Sequence, residues 1–178
     1  DMKTAANYAF TNRAVLTDRL FKGLKAELGE EVELSTLYDV SHNIAKIEEH
    51  VVHGKNCTCA VHRKGATRAF SGTQPELHRT FAQTGQPVVV PGDMGRGSWL
   101  MAGPETEQNQ AFGSACHGAG RALSRSAARR KINPEAKEKE LREKGIIVQA
   151  ATKNILSEEA PEAYKNVDRV IQNTAIAN

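Results

Sequence analysis

The sequence lacks the features of membrane-anchored and disulfide-rich proteins. No apolar run approaches the ~20 residues that a membrane-spanning helix needs, and the start DMKTAANYAF has no basic head before an apolar core. We therefore expect neither a transmembrane helix nor a signal peptide. Cysteine occurs only at Cys57, Cys59 and Cys116. An odd count without framework spacing favours a reducing compartment, so we expect a cytoplasmic protein without membrane contact.

Aromatic residues are also scarce, at 5% of the chain, so aliphatic side chains must supply most of the core. Hydrophobic residues at 39% and charged residues at 25% are typical of a globular domain, which excludes a disordered chain. The length of 178 residues fits one domain or a piece of a larger one. Because position 1 is not methionine, we expect the chain to begin inside a longer protein.

Acidic residues are nearly absent from the middle of the chain. The segment 113–131 has no acid and five cations, whereas acids are frequent in outer segments such as KAELGEEVE. The net charge of +3 does not by itself indicate nucleic acid. A basic middle suits a polyanionic ligand, and a solvated charged face is the alternative.

Hydrophobic periodicity and turn residues predict an α+β protein with mixed sheets and flanking helices. A helix is predicted over residues 2–28, with Gly29 as its end. Two strands are predicted around a tight turn at residues 53–56, followed by a buried PVVV strand and a short strand at residues 98–102. Further helices are expected after Gly120 and at residues 133–145, and IIVQAA is predicted to be a strand.

The stretch ACHGAGRALSRSAARRK, residues 115–131, places one histidine before a glycine turn and a row of arginines. A helix starting after Gly120 would present free backbone N–H groups to an anion. Arg121, Arg125 and Arg129 would then share one face of that helix. Neutral imidazole is a competent nucleophile toward phosphorus, so His117 is a candidate for phosphoryl or nucleotidyl transfer. A structural histidine beside a solvated arginine face is the alternative.

Other candidate sites are weaker in the sequence alone. The loop PGDMGRGS follows the PVVV strand, where ligand loops are common, although it could be a plain turn. His42 has no partner at metal-ligand spacing. Cys57 and Cys59 would point to the same side of a strand, either as a metal pair or as two small strand residues.

Five segments together resemble the RtcB family of RNA ligases: YDVSHNIAKIEEH, VHRKGATRAF, QPVVVPGDMG, CHGAGRALSR and EEAPEAYKNVD. They occur in the family's order, with comparable spacing, over nearly the whole chain. The resemblance implies an RtcB-type α+β fold and the joining of 2′,3′-cyclic phosphate or 3′-phosphate RNA ends to 5′-hydroxyl ends. It also implies GTP and Mn²⁺ as cofactors. The expected partners are RNA, such as tRNA halves or broken RNA, the remainder of the ligase polypeptide, and an archease-type activator.

The resemblance assigns roles to individual residues. His117 is the expected catalytic nucleophile, which carries GMP as a phosphoramidate, and His42 resembles a manganese ligand of the family. Arg121 and Arg125 are expected to meet phosphates of the nucleotide or the RNA. The expected nucleotide-binding residues are Asn43, Pro91, Gly92, Asp93, Met94, Ser98, Gly118, Ala119, Gly120 and Tyr164.

The chain also differs from the family pattern. The family's other metal ligands would lie in a preceding part, and its terminal lysine would follow the final NTAIAN, so residues 1–178 are expected to be the C-terminal portion of one RtcB-type catalytic domain without its extreme C-terminus. FSGTQP replaces a Pro-Pro-Gly-type run. Cys116 is not expected to be a metal ligand. A non-catalytic RNA-binding fragment, or one half of a split ligase, is the main alternative, and a histidine phosphotransferase of another fold is a third.

Overall fold

The computed structural model describes residues 1–105 and 111–177. Within these ranges the protein is α+β, with helices and three two-stranded antiparallel sheets, as the sequence predicts. The helices are α1 (Met2–Leu28), α2 (Arg125–Lys131), α3 (Pro134–Glu143), α4 (Lys153–Glu158) and α5 (Val167–Ala177). The strands are β1 (Asn43–Val52), β2 (Lys55–Lys64), β3 (Ala66–Arg68), β4 (Pro87–Asp93), β5 (Gly97–Ala102) and β6 (Ser114–Cys116). Short 3-10 helices cover Arg79–Phe81 and Pro161–Ala163.

The chain divides into two compact units, Asp1–Val40 and Ser41–Asn178. The first unit consists of α1 and the segment after it, where Arg13 pairs with both carboxylate oxygens of Asp39 at 2.6 and 2.9 Å. Helix α1 ends at Gly29, as predicted, and the Gly29 N–H donates to the Lys25 carbonyl. No residue of α1 is buried. None of the helices in the described ranges combines the length and the apolar character that a membrane span requires.

The second unit begins with the β1–β2 hairpin, whose register runs from Asn43 opposite Lys64 to Val52 opposite Lys55. His53 and Gly54 form the connecting turn with φ of 49° and 75°, which suits a type I′ turn and matches the twist of the two strands. The predicted tight turn is therefore confirmed, although it is shorter than the predicted 53–56, because Lys55 and Asn56 already pair with β1. The inner face of the hairpin buries an ion pair between Glu48 and Arg63.

The hydrophobic core lies where β3–β6 and β4–β5 pack with α5. Its buried members are small or aliphatic, as the low aromatic content requires: Ala69, Val88, Val90, Ala115, Ala119 and Val167. Met101, Cys116 and Ile171 pack against this cluster from its edge. The core therefore supports β6, whose last residue directly precedes His117, and the Ala119 of the following glycine turn.

Two sequence predictions about elements are wrong. The segment IIVQAA is not a strand, and Ile147 is 90% exposed. The helix expected directly after Gly120 begins only at Arg125, capped by the Ser124 side chain. The backbone N–H groups of Ala122 and Leu123 donate instead to the carbonyl of Ala163, which replaces the first helical turn by tertiary hydrogen bonds. Helix α3 is confirmed, with Asn133 as its N-cap.

Candidate functional site

His117 lies directly after β6, and its imidazole stacks on that of His42. The two ring centroids are 4.8 Å apart and the rings are almost parallel, at 4°. His42 is brought there by the base of the β1–β2 hairpin, because β1 starts at the next residue. Strand β6 pairs with β3, which follows the same hairpin, so Cys116 lies opposite Ala66. Two histidines far apart in the sequence thus share one site.

The environment of His117 favours its neutral form. Burial lowers the pKa of His117 below its usual 6.5, and electrostatic interactions with His42 and Lys64 lower this pKa further. A neutral imidazole keeps a free nitrogen lone pair, which a nucleophile or a metal ligand needs. The site can therefore present an unprotonated nitrogen at physiological pH.

The glycine turn after His117 rests on the end of β4. The Ala119 N–H donates to the Pro91 carbonyl at 2.9 Å, and a Cβ on Gly118 would lie only 3.2 Å from that same oxygen. The Gly120 carbonyl accepts a hydrogen bond from the Lys165 N–H at 2.9 Å. The two glycine-containing segments that the sequence singles out, 91–98 and 117–120, are therefore adjacent. Their role in binding a nucleotide stays a prediction.

Asp93 shapes the segment 91–98. Its fully buried carboxylate accepts hydrogen bonds from the Gly95 N–H at 2.9 Å and from the Arg96 side chain at 3.1 Å. Gly92 cannot carry a side chain, because a Cβ there would lie 2.2 Å from the Gly97 carbonyl oxygen. Ser98 is paired with Pro91 across the β4–β5 ladder, and Met94 lies in the turn that joins the two strands.

The arginine row is paired with acids that follow it in the sequence. Arg121 donates to the carbonyls of Leu123 and Glu158, to the Glu159 carboxylate and to the Tyr164 hydroxyl. Arg121 also forms an isolated β-bridge with Tyr164, so it lies outside α2 and does not share a helix face with the other arginines. The Arg121 guanidinium thus already donates to several protein acceptors. Phosphate binding by Arg121 stays a prediction.

The other arginines meet the same acids. The Nε of Arg125 lies 3.5 Å from a Glu158 carboxylate oxygen, and the Nε of Arg129 lies 2.7 Å from the other oxygen. Tyr164 donates its hydroxyl to Glu159, and burial together with this carboxylate raises the pKa of Tyr164. The Arg125 side chain is 65% exposed and is thus the more accessible of the two predicted phosphate ligands.

The described residues do not by themselves form a metal centre. Among residues 1–105 and 111–177, no group of three or more His, Cys, Asp or Glu side chains is placed to hold a metal ion. Manganese sites need several oxygen or nitrogen ligands together, so His42 alone does not hold the ion. Its assignment as a manganese ligand stays a prediction. Cys116 lies 3.1 Å from the Thr174 hydroxyl and packs on the core.

Gly65 lies next to both His42 and His117, and it is not among the site residues that the sequence predicts. The Gly65 N–H donates to the His42 carbonyl at 2.9 Å and lies 3.3 Å from the Asn43 side-chain oxygen. In the sequence, the only signal for Gly65 is a glycine between two predicted extended segments. Its φ of +69°, which explains why glycine is needed there, is known only from the structure. The sequence also did not identify Lys64 as a neighbour whose charge lowers the pKa of His117.

Fold and site together define an α+β protein in which two stacked imidazoles lie beside a glycine turn, and that turn packs on a second glycine-containing segment. The family model for the tRNA-splicing ligase RtcB matches residues 1–178. The chain is 48% identical over 174 residues to the tRNA-splicing ligase RtcB of Thermococcus kodakarensis, covering 96% of this chain and 36% of the relative. Against the Pyrobaculum aerophilum protein of the same name it is 47% identical over 175 residues, covering 96% and 36%.

The chain therefore belongs to the RtcB family, which confirms the resemblance seen in its motifs. It is also 46% identical over 174 residues to the Pyrococcus abyssi tRNA-splicing ligase RtcB, covering 96% of this chain and 19% of that protein. The chain thus spans between about a fifth and a third of the length of these relatives.

Proposed function

We propose that this chain carries the nucleotide-accepting histidine of a GTP-dependent RNA ligase. The ligase would join RNA ends bearing a 3′-phosphate or a 2′,3′-cyclic phosphate to 5′-hydroxyl ends. The single observation that carries the proposal is the half-buried imidazole of His117, stacked on His42 beside a glycine turn. The family membership supports the choice of RNA as substrate, since its members are named tRNA-splicing ligases.

The proposed reaction begins at the imidazole of His117. A ring nitrogen attacks the α-phosphorus of GTP, so that a P–N bond forms, the P–O bond to pyrophosphate breaks, and pyrophosphate leaves. A 2′,3′-cyclic end would first be opened by water, which breaks the P–O bond to the 2′-oxygen and leaves a 2′-hydroxyl and a 3′-phosphate. The GMP group then passes to a terminal oxygen of the RNA 3′-phosphate as the P–N bond breaks, which regenerates the imidazole. The 5′-hydroxyl oxygen finally attacks the activated 3′-phosphorus, a phosphodiester forms, and GMP leaves.

The chain's own residues would hold the nucleotide around this nitrogen. Gly118 and Gly120 lack side chains, so a phosphate could approach the backbone of the turn closely. The neighbouring segment Pro91–Met94, with Ser98 and Asn43, would form the nucleotide side of the pocket, with Tyr164 at its base. Arg125 is the more exposed candidate for an RNA phosphate. We propose Mn²⁺ as the required metal, with ligands beyond His42 supplied by another part of the ligase polypeptide.

A ligation assay tests this proposal in the full ligase polypeptide that contains these residues. With GTP, Mn²⁺ and two RNA strands bearing a 3′-phosphate and a 5′-hydroxyl, we expect a joined product. His117→Asn should abolish joining, while His53→Asn, at the far end of the β1–β2 hairpin, should retain it. Asparagine tolerates the positive φ of 49° at position 53, so this control adds little backbone strain.

A second candidate function is a non-catalytic RNA-binding fragment or one half of a split ligase. Two observations favour it. The described residues contain no complete metal-ligand group, and the chain covers only 36% of a relative such as the Thermococcus kodakarensis protein. Joining by the full polypeptide that is insensitive to His117→Asn would favour this second function. Loss of joining with unchanged RNA binding would favour the first.

A further inference from the structure

Gly65 connects β2 to β3 in a left-handed backbone conformation, with φ of +69°. Its N–H donates to the His42 carbonyl at 2.9 Å, one position beyond the last hairpin pair, Asn43 and Lys64. The peptide of Gly65 therefore extends the hairpin by one hydrogen bond and fixes the backbone of His42.

The absent side chain of Gly65 matters as much as its backbone. A Cβ at this position would lie 3.3 Å from Nε2 and 3.4 Å from Cδ2 of His117. The distance to Nε2 is shorter than the ~3.5–4.0 Å at which heavy atoms attract best, so an added methyl group would require the edge of the ring to shift by a few tenths of an ångström. The opposing histidine already limits the ring from another side, since His42 stacks on it at 4.8 Å.

We infer that Gly65 is a positioning residue for His117. It holds His42 through its backbone, and it leaves empty the space beside Nε2 that a side chain would occupy. The contact between position 65 and the His117 ring is a property of the fold, whereas its importance for the reaction rests on the proposed function of His117.

The same hairpin provides a matched control. Gly54, in the turn at its other end, has a similar φ of +75°, and a Cβ there would meet nothing within 4 Å. Asparagine tolerates this backbone region better than other side chains. Gly65→Asn and Gly54→Asn therefore share the same backbone requirement, and only Gly65→Asn adds a contact with His117.

Chemical modification measures this effect without GTP or metal. Diethyl pyrocarbonate acylates accessible neutral imidazole nitrogens, and peptide mass spectrometry gives a rate for each histidine. In the full ligase polypeptide we expect Gly65→Asn to slow modification of His117 severalfold, with His62 unchanged, and Gly54→Asn to leave His117 at the wild-type rate. An unchanged or faster rate at His117 in Gly65→Asn overturns the inference.

The same two variants separate this inference from the proposed function. With labelled GTP, we expect Gly65→Asn to reduce the rate of covalent labelling by about tenfold with GTP affinity unchanged, because a small misplacement of a reacting atom is costly. Gly54→Asn should label normally. If the wild-type protein takes no label while Gly65→Asn still slows modification, the proposed function fails and the positioning inference stands. Normal labelling of Gly65→Asn overturns the inference.

A stability comparison decides the case in which Gly65→Asn folds poorly. If the added side chain collides with the imidazole, His117→Ala in the same polypeptide should recover part of the melting temperature lost through Gly65→Asn. It should not recover any loss caused by Gly54→Asn. An equal loss in melting temperature with and without the imidazole would overturn the inference.

Discussion

His42 and His117 occupy one site although most of the second unit separates them in the sequence. Their rings stack at 4.8 Å, and both are held by backbone contacts, since Gly65 binds the His42 carbonyl while β6 leads into His117. Burial lowers the pKa of His117, and electrostatic interactions with His42 and Lys64 lower it further. At the residue scale, the site thus favours the neutral form of one imidazole and places a second one against it.

His42→Ala tests the metal assignment. The substitution removes one nitrogen ligand from a site of several ligands, so we expect weaker Mn²⁺ binding and slower transfer of GMP to the protein. The folded state should lose no more than about 1 kcal/mol, because His42 is exposed and surface substitutions usually cost little. Calorimetry on the full ligase polypeptide measures the affinity. Wild-type affinity in His42→Ala would show that His42 is structural; His62→Ala, on the exposed face of the hairpin, is the control.

At the scale of elements, a buried ion pair joins the β1–β2 hairpin to the segment before β6. Arg63 donates to both carboxylate oxygens of Glu48 at 2.8 Å, to the Phe112 carbonyl at 2.8 Å and to the Ser114 hydroxyl at 3.0 Å. Both charged side chains are almost fully buried. The ion pair therefore links the β1–β2 hairpin, which begins one residue after His42, to β6, which ends one residue before His117.

Glu48→Gln should destabilise the protein strongly, because it leaves the Arg63 charge buried without its partner. Breaking one side of a buried pair costs about 3–5 kcal/mol. Chemical denaturation measures this loss. Glu49→Gln is the matched control, since Glu49 is exposed on the other face of the same strand. A loss in Glu48→Gln no larger than that in Glu49→Gln would contradict the role of the pair.

The same carboxyl group also makes stability depend on pH. Burial would raise the pKa of Glu48, but the hydrogen bonds from Arg63 and His50 outweigh it and hold this pKa below its usual 4.5. A depressed pKa in the folded state contributes stability that is complete above pH 4.5 and is lost as the pH falls through the lower folded pKa. The wild-type protein should therefore lose stability below pH 4.5 more steeply than Glu48→Gln. Parallel pH profiles of the two proteins would contradict this explanation.

The arginine row gives a second prediction at the scale of elements. Glu158 comes from α4, and its carboxylate lies within ion-pair distance of Arg125 and Arg129 on α2. Glu158→Gln should strengthen RNA binding by about 1 kcal/mol, roughly fivefold, because it removes a negative charge that competes with RNA phosphates. Filter binding at several salt concentrations measures the change. Glu138→Gln, which removes an exposed pair with Arg142 on α3, is the control. Equal RNA affinities of Glu158→Gln and Glu138→Gln would contradict the idea that Glu158 competes with RNA phosphates.

At the scale of the whole molecule, residues close in the sequence were sufficient to predict some elements but not others. Helix α1, the His53-Gly54 turn and the N-cap of α3 at Asn133 depend on residues close in sequence, and the predictions for them are confirmed. The late start of α2 depends on the Ala163 carbonyl, and the arginine partners come from Glu158 and Glu159. Such distant partners leave no periodicity in the sequence.

The candidate site, too, was predictable from the sequence only in part. The motif resemblance placed His117, His42 and the two glycine-containing segments in one family site, and the structure shows His42 stacked on His117 and Pro91 bonded to Ala119. Their assigned roles stay predictions. The contribution of Gly65 could not be found from the sequence, because it depends on a positive φ and on the space beside an imidazole that is distant along the chain.

The isolated chain should self-associate or bind the remainder of the ligase polypeptide. No residue of α1 is buried, and large apolar side chains such as Tyr8, Leu16 and Leu20 are 77%, 55% and 59% exposed. A helix with apolar residues on several sides is usually buried in a larger assembly. Light scattering after size exclusion measures the mass, and labelled GTP should give no covalent product with residues 1–178 alone. A monodisperse monomer that labels itself with Mn²⁺ would contradict this expectation.

The most direct test of the central claim is to locate the GMP group on the full ligase polypeptide after incubation with GTP and Mn²⁺. Mass spectrometry of the peptides should find a phosphoramidate on His117, acid-labile and stable in base, which disappears when RNA with a 3′-phosphate is added. His117→Asn should take up no GMP, and His53→Asn should take up as much as the wild type. A GMP group on another residue, or persistent label on His117→Asn, would contradict the account.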